Sequence, residues 1–299
     1  LVAEYPAAKA RLAAFSELVD TDLLDLLCGD ELRRDTLSVH LAMTGFGLVA
    51  WEWLTEVRGL RPRMLAGHSL GEIVALGCAG ALSAEQAMLL ARERGNCLAE
   101  ACERRPGAMA AFVGASLARM QATISAWIAA SGLAERLWIV NLNGPGQLVA
   151  AGEAASLQAL CAAMQAEGLT AIPLATAGAF HTPFMTEAAT RLADFLRTLD
   201  FRAPRIPVVS SMSGRLLTQP EALATHLALQ VVKPVRWLDV MQGMRRAQIA
   251  RVIDVAGGKG VLSPLIASCE DWQVETTTLD ALVRAKAGVA QGIEEELTA

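Results

Sequence analysis

The stretch Gly67-His68-Ser69-Leu70-Gly71 constrains this chain more than any other. It follows the apolar run Met64-Leu65-Ala66 and leads into the helix-like Glu72-Ile73-Val74-Ala75-Leu76. A G-x-S-x-G string between a strand and a helix is a sharp turn whose strained backbone only glycine neighbours permit. It therefore requires strand, turn and helix in that order. It also lifts a serine hydroxyl to the end of a sheet, above a helix N-terminus whose amides favour developing negative charge. Ser69 is read as a nucleophile, against the plainer reading of a structural turn.

The rest of the chain fits an α/β fold around this unit. Residues 6–19 and 36–57 read as helices, Arg61-Pro62-Arg63 as a break, and 64–66 as a short buried strand. A helix follows to about Ala79, and Ser83-Ala84-Glu85-Gln86 is a capping box opening another to about Glu103. Beyond Pro106-Gly107 the pattern changes. Strands at 108–113, 137–141, 147–151 and 170–175 alternate with helices at 117–131 and 154–167, with a tight turn at Asn143-Gly144-Pro145-Gly146. That β-α-β-β-α-β order is the split, ferredoxin-like pattern. Helices at 185–199, 221–230 and 237–246 and strands at 207–211 and 250–255 complete the chain. The expectation is a hydrolase-like, mostly parallel sheet with flanking helices, interrupted by a small ferredoxin-like subdomain. Residues 1–105 and 178–299 would form the large subdomain, and 106–177 the inserted one.

Composition sets limits. A chain of 299 residues, 53% hydrophobic, can bury one large core or a core plus a smaller module. The net charge of −5 carries no basic bias, so neither nucleic acid nor an anionic membrane surface is an expected partner. No uninterrupted apolar run reaches the roughly 18 residues of a membrane helix, and no signal-peptide pattern is present. The six cysteines lack C-x-x-C spacing, so free thiols in a reducing cytoplasm are expected, with no metal site.

A nucleophilic serine needs a base, and the chain offers four histidines. His68 lies inside the turn, where its side chain should point away from that of Ser69. His40 sits in an apolar helix, the usual place of a satisfied core histidine, and His226 in a surface-like one. His181 belongs to the loop Gly178-Ala179-Phe180-His181-Thr182-Pro183, the usual location of site residues. It is the preferred base. No carboxylate between Ser69 and His181 falls at an obvious strand end, so a carboxamide or backbone carbonyl is expected in place of a triad acid.

Arg94 shares the apolar stripe of its helix with Leu90 and Leu98, whereas Arg92 projects to the other side. An unpaired buried guanidinium would cost several kcal/mol. Three readings remain: a salt bridge to a protein carboxylate, a snorkelling side chain, or a bidentate clamp for a substrate carboxylate.

Four motifs now occur in order: Gly67–Glu72, Arg94, Asn141-Leu142-Asn143-Gly144-Pro145-Gly146-Gln147, and Ala179-Phe180-His181. Together they resemble the malonyl-CoA:acyl carrier protein transacylases and the acyltransferase domains of polyketide synthases. The resemblance runs from Tyr5-Pro6 to Val255-Ala256-Gly257-Gly258-Lys259, and the Gly-Ala-Phe-His wording is similar to discrete acyltransferases that serve polyketide synthases in trans. It implies that Ser69 is the acyl-accepting nucleophile and His181 its general base. Arg94 would pair with the free carboxylate of a malonyl group, and Leu70 would offer its backbone N–H to the oxyanion. Gln230 would hold His181 through its carbonyl, Asn143 would line the pocket or simply form a turn, and Phe180 would crowd an α-methyl branch and favour malonyl units.

The implied chemistry is ping-pong acyl transfer for polyketide or fatty acid synthesis. Malonyl-CoA is the substrate, an acyl carrier protein or carrier domain bearing phosphopantetheine is the partner, and no cofactor is needed. One departure stands out, because the family's Gly-Gln-Gly-x-Gln loop, whose glutamine completes the oxyanion hole, has no counterpart here. Losing one such donor costs about 100- to 1000-fold in rate. A chain beginning at Leu1 is therefore expected to lack an upstream segment. Rival readings are an acyl hydrolase clearing carrier proteins, the acyltransferase subunit of malonate decarboxylase, and an inactive docking module of a synthase.

Overall fold

The computed structural model describes residues 5–29, 35–256 and 260–285. The chain opens with helices α1 (Ala7–Val19), α2 (Leu23–Cys28) and α3 (Thr36–Glu52), and α3 runs on into a π-helical turn, Trp53–Val57. Helix α2 was not anticipated. Asp22 caps it by accepting from the amides of Leu24 and Asp25, but it is too short to show a helical period. Strand β1 (Leu65–Ala66), helix α4 (Gly71–Cys78) and helix α5 (Ala84–Arg104) follow. The expected capping box opens α5, with Ser83 Oγ accepting from the Gln86 amide at 3.1 Å and Gln86 Oε1 from the Ser83 amide at 3.0 Å. Helices α3 and α5 pack along each other, which aligns the apolar faces of both.

The next stretch contains β2 (Ala108–Val113), α6 (Leu117–Ala130), β3 (Leu137–Gly144), β4 (Gln147–Gly152), α7 (Ala154–Ala166) and β5 (Thr170–Pro173). The four strands form one antiparallel sheet in the order β3-β4-β2-β5. Because side chains alternate across a strand, its two faces feed different cores. Ala110, Phe112, Leu148 and Ala150 pack with Met120, Ile124, Leu160 and Met164 of α6 and α7. Met109, Ala111, Val149 and Ala151 join the main core with Leu41, Leu90 and Leu98.

The chain then continues through a 3-10 turn (Pro183–Met185), α8 (Thr186–Leu196), β6 (Val208–Val209), β7 (Leu216–Leu217), α9 (Pro220–Gln230) and α10 (Trp237–Arg246). Strand β8 (Arg251–Asp254), α11 (Ser263–Ala267), β9 (Glu275–Thr278) and α12 (Leu279–Arg284) close it. Strand β6 pairs in parallel with β1 and antiparallel with β7. A separate ladder joins β8 and β9 in parallel. A mostly parallel sheet was expected; among the described residues the strands outside the β2–β5 sheet form the three-stranded β1-β6-β7, with one parallel and one antiparallel pairing, and the parallel pair β8-β9. A single parallel bridge, Asn141 to Val235, ties β3 to the segment after α9. Strand β9 was not anticipated, because Glu275-Thr276-Thr277-Thr278, although β-branched, carries no apolar alternation to mark a buried face. The expected strand end at residues 257–259 and the chain start at Leu1 lie outside the described residues.

Among the described residues, no helix is long and apolar enough to cross a membrane. Nor does any group of three or more His, Cys, Asp or Glu side chains form a metal-binding set.

Candidate active site

Ser69 occupies the turn between β1 and α4 with a φ of 51°, left-handed backbone that costs a serine about 1–3 kcal/mol. The turn closes so tightly that a Cβ on Gly67 would lie 1.9 Å from the Gly71 carbonyl carbon, which only glycine tolerates. Three bonds hold it: Gly71 N–H to the His68 carbonyl and Glu72 N–H to the Ser69 carbonyl, both at 3.0 Å, and Gln230 Nε2 to the Ser69 carbonyl at 3.1 Å. Leu70 is the cap position of α4. The Gly71 and Glu72 amides are engaged within the turn, which leaves the Leu70 amide as the N–H that directly follows the serine.

His181 also has left-handed backbone, with φ 62°. Its amide donates to the Val231 carbonyl at 3.1 Å, and Thr182 caps the following turn by accepting from the Phe184 amide. These contacts aim the buried ring at the serine. Nε2 lies 2.8 Å from Ser69 Oγ, while Nδ1 lies 2.9 Å from the Gln230 carbonyl and 3.0 Å from the Lys233 carbonyl. Carbonyl oxygens only accept, so the ring proton sits on Nδ1 and Nε2 is a bare acceptor facing the hydroxyl. Two backbone carbonyls thus stand where a triad acid would be. Burial lowers His181 to about 3, helped by the charge of Arg94 and opposed by the two carbonyls.

Arg94 projects from α5 into this cluster and is only 3% exposed. Its Nη2 donates to Ser69 Oγ at 3.1 Å and to Gln230 Oε1 at 3.3 Å, and its Nη1 lies 2.5 Å from Nε2 of His40. Among the described residues no carboxylate forms an ion pair with it, and its Nε has no hydrogen-bond partner. This removes two of the three readings of Arg94, the protein salt bridge and the snorkelling side chain. Burial lowers Arg94 to about 10, against the opposing charge of Glu72, so it remains a cation at neutral pH.

Gln230, fully buried, binds three partners through its side chain: Arg94, the Ser69 carbonyl and Ser211 Oγ. Asn143 is placed differently. Its Oδ1 accepts from His68 Nε2 at 3.0 Å and its Nδ2 donates to Gln147 Oε1 at 2.8 Å, which ties Asn143 and, through it, Gln147 to the serine turn. Phe180 is half-buried beside His181 and packs on the main core. A groove of about 430 Å³ is lined by Ile139, Leu142, Met212, Leu229, Lys233 and Arg236 among others, and Lys233 is the residue whose carbonyl meets His181.

Three participants escaped sequence reasoning. His40 is a satisfied core histidine, as expected, but its partner is Arg94. His226 turns inward from α9, with Nε2 2.5 Å from Oε1 of the fully buried Glu72. The other oxygen of Glu72 accepts from the Ser211 amide at 2.5 Å. No local pattern signals pairings between residues 154 and 139 positions apart.

The chain is similar to known proteins along most of its length. The family model described as "Acyl transferase domain" matches residues 2–275. The malonyl CoA-acyl carrier protein transacylase of Bacillus subtilis is 31% identical over 269 residues, covering 89% of this chain and 83% of the relative. The crystal structure of the malonyl-CoA:acyl carrier protein transacylase of Xanthomonas oryzae superposes with a TM-score of 0.87 at 33% identity, over 99% of this chain and 91% of that one. A malonyl-transacylase in complex with a type II PKS acyl-carrier protein superposes with a TM-score of 0.86 at 26% identity, over 99% and 93%. The match over residues 2–275 shows that the chain belongs to the acyl transferase domain family.

Proposed function

We propose that this protein transfers a malonyl group from coenzyme A to the phosphopantetheine thiol of an acyl carrier protein or polyketide synthase carrier domain, through a malonyl-Ser69 intermediate. Arg94 carries the reading. It is an enclosed cation without a carboxylate partner among the described residues, held 3.1 Å from the Ser69 hydroxyl. A malonyl ester on Ser69 brings a carboxylate two carbons from its carbonyl carbon, within reach of that guanidinium. An acetyl ester leaves the cation unmatched, and burying it unpaired costs several kcal/mol.

The steps follow from the hydrogen bonds. His181 Nε2 takes the proton of Ser69 Oγ as the oxygen attacks the malonyl thioester carbonyl. The Leu70 amide, at the head of α4, faces the oxygen that becomes negative. Collapse breaks the carbon–sulfur bond, His181 returns its proton to the departing coenzyme A sulfur, and malonyl stays on Ser69. The carrier thiol then gives its proton to His181, attacks the ester, and leaves with the malonyl group as Ser69 regains its hydrogen. Arg94 holds the carboxylate throughout, which orients the carbonyl for both attacks. Phe180, beside the base, disfavours an α-methyl branch.

The remaining parts of the reading concern context. Residues 106–177 serve as a ferredoxin-like subdomain set on a hydrolase-like α/β subdomain, supported by the strand order β3-β4-β2-β5. The groove at Leu142, Met212 and Lys233 suits the phosphopantetheine arm, its lining being mostly apolar with Lys233 and Arg236 among it. No cofactor takes part, and a coenzyme A thioester substrate places the reaction in the cytoplasm.

Steady-state transfer tests the proposal, using malonyl-CoA or acetyl-CoA with a phosphopantetheinylated carrier protein. Malonyl-carrier formation with parallel double-reciprocal lines supports it. Preference for acetyl-CoA, or release of free malonate without transfer, contradicts it and favours a hydrolase.

A further inference from the structure

We propose that His40 is a positioning residue for the carboxylate clamp, holding Nη1 of Arg94 so that the guanidinium is presented to the acyl group on Ser69. This rests on the reading of Arg94 as the clamp. The geometry fixes the chemical state of His40 without further assumption. Its Nδ1 lies 2.6 Å from the Thr36 carbonyl, which only accepts, so Nδ1 carries the proton. Its Nε2 faces a guanidinium, which only donates, so Nε2 offers a lone pair. An imidazolium has no lone pair there and would set two cations in contact. His40 is therefore neutral, and burial together with the charge of Arg94 lowers it to about 3.

Neutrality is what suits His40 to the task. Arginine has four side-chain torsions, and the contacts at Nη2 hold only one end of the guanidinium. The contact at Nη1 holds the other. A carboxylate in the place of His40 would fix it equally well, but would also neutralise the cation that the malonyl carboxylate must meet. The imidazole orients Arg94 and leaves its charge intact.

The helices are built for this contact. Asp35 caps α3 by accepting from the Ser38 amide at 2.9 Å, which sets the Thr36 carbonyl in the first turn. Gly95 follows Arg94 on α5, and a Cβ there would meet Leu37 Cα at 3.1 Å and His40 Cβ at 3.4 Å. A glycine at this point brings α3 close enough for His40 to reach the guanidinium.

The test compares kcat/KM for malonyl-CoA and acetyl-CoA in His40→Phe, His40→Leu, His40→Gln and Arg94→Ala. Phe and Leu lack an acceptor; Gln retains one. Removing a hydrogen bond to a charged group should lower the malonyl-to-acetyl ratio by about tenfold to a hundredfold in the first two, through KM for malonyl-CoA. His40→Gln should recover most of the ratio. If Arg94→Ala lowers the ratio while a folded His40→Phe or His40→Leu keeps it, or loses both substrates equally, the role of His40 is overturned and the clamp stands. If Arg94→Ala itself keeps the ratio, the clamp reading falls and this inference with it. Two-bond ¹H–¹⁵N spectra of the wild-type protein supply a test independent of any variant. The Nδ1–H tautomer is expected for His40, and an Nε2–H tautomer or an imidazolium at neutral pH overturns the proposal.

Discussion

The carbonyl of Gln230 lies 2.9 Å from Nδ1 of His181, and this contact orients the ring as a carboxylate does in a Ser-His-Asp triad. Lys233 adds a second carbonyl at 3.0 Å. A carbonyl brings no full negative charge, which matters in a cluster whose one enclosed cation, Arg94, lies 3.3 Å from the side chain of the same glutamine. A carboxylate there would pair with Arg94 and compete with an anionic substrate.

That reasoning predicts the effect of Gln230→Glu. The backbone contact to His181 survives, but the new carboxylate pairs with Arg94. KM for malonyl-CoA should rise about tenfold or more, from loss of a charge-assisted contact. The acetyl-CoA reaction, which makes no use of that contact, should change less. Steady-state kinetics with both substrates check this, and an unchanged KM for malonyl-CoA contradicts it.

A second prediction concerns pH. A base must be neutral to act, and burial with the charge of Arg94 lowers His181 to about 3, far below the usual 6.5. The acid limb of kcat/KM, which reports the free enzyme, should therefore be absent between about pH 8 and pH 5. Arg94→Ala removes one of the lowering influences, so the limb should move to higher pH. Profiles with acetyl-CoA allow both proteins to be compared on one substrate. A wild-type limb near 6.5, or a downward shift in Arg94→Ala, runs against this account.

Much of the site was legible in the sequence because its signals are local. The serine turn is set by glycine spacing over five residues, and the stripe shared by Leu90, Arg94 and Leu98 follows from helical period alone. The lack of a triad acid could be inferred by elimination among carboxylates. What could not be read depends on tertiary approach. His40 and Arg94 are 54 residues apart, and nothing within α3 indicates which face of α5 it meets. Glu72 stands in the helix-like run after the turn with nothing local to mark its partners, yet it is fully buried against the Ser211 amide and His226. Strand β7 likewise spans two residues, too few to carry a period, whereas β6 falls within the strand expected at 207–211.

Glu72 yields a third prediction. Replacing it by alanine leaves the Ser211 amide without its acceptor in a buried position, which alone costs about 1–3 kcal/mol. It also releases His226, so α9 loses its tether to α4. Glu72→Gln keeps an acceptor and the side-chain volume and should cost less. Denaturant unfolding of the two variants gives the comparison. Equal stabilities, or an alanine variant as stable as the wild type, would remove Glu72 from the framework of the site.

The most direct test of the central claim is the mass of the protein after brief incubation with malonyl-CoA and no carrier. The account predicts a gain of one malonyl group, mapped by peptide fragmentation to Ser69, discharged on adding a phosphopantetheinylated carrier protein, and absent in Ser69→Ala. A malonyl group on another residue, or transfer to the carrier undiminished in Ser69→Ala, would contradict it.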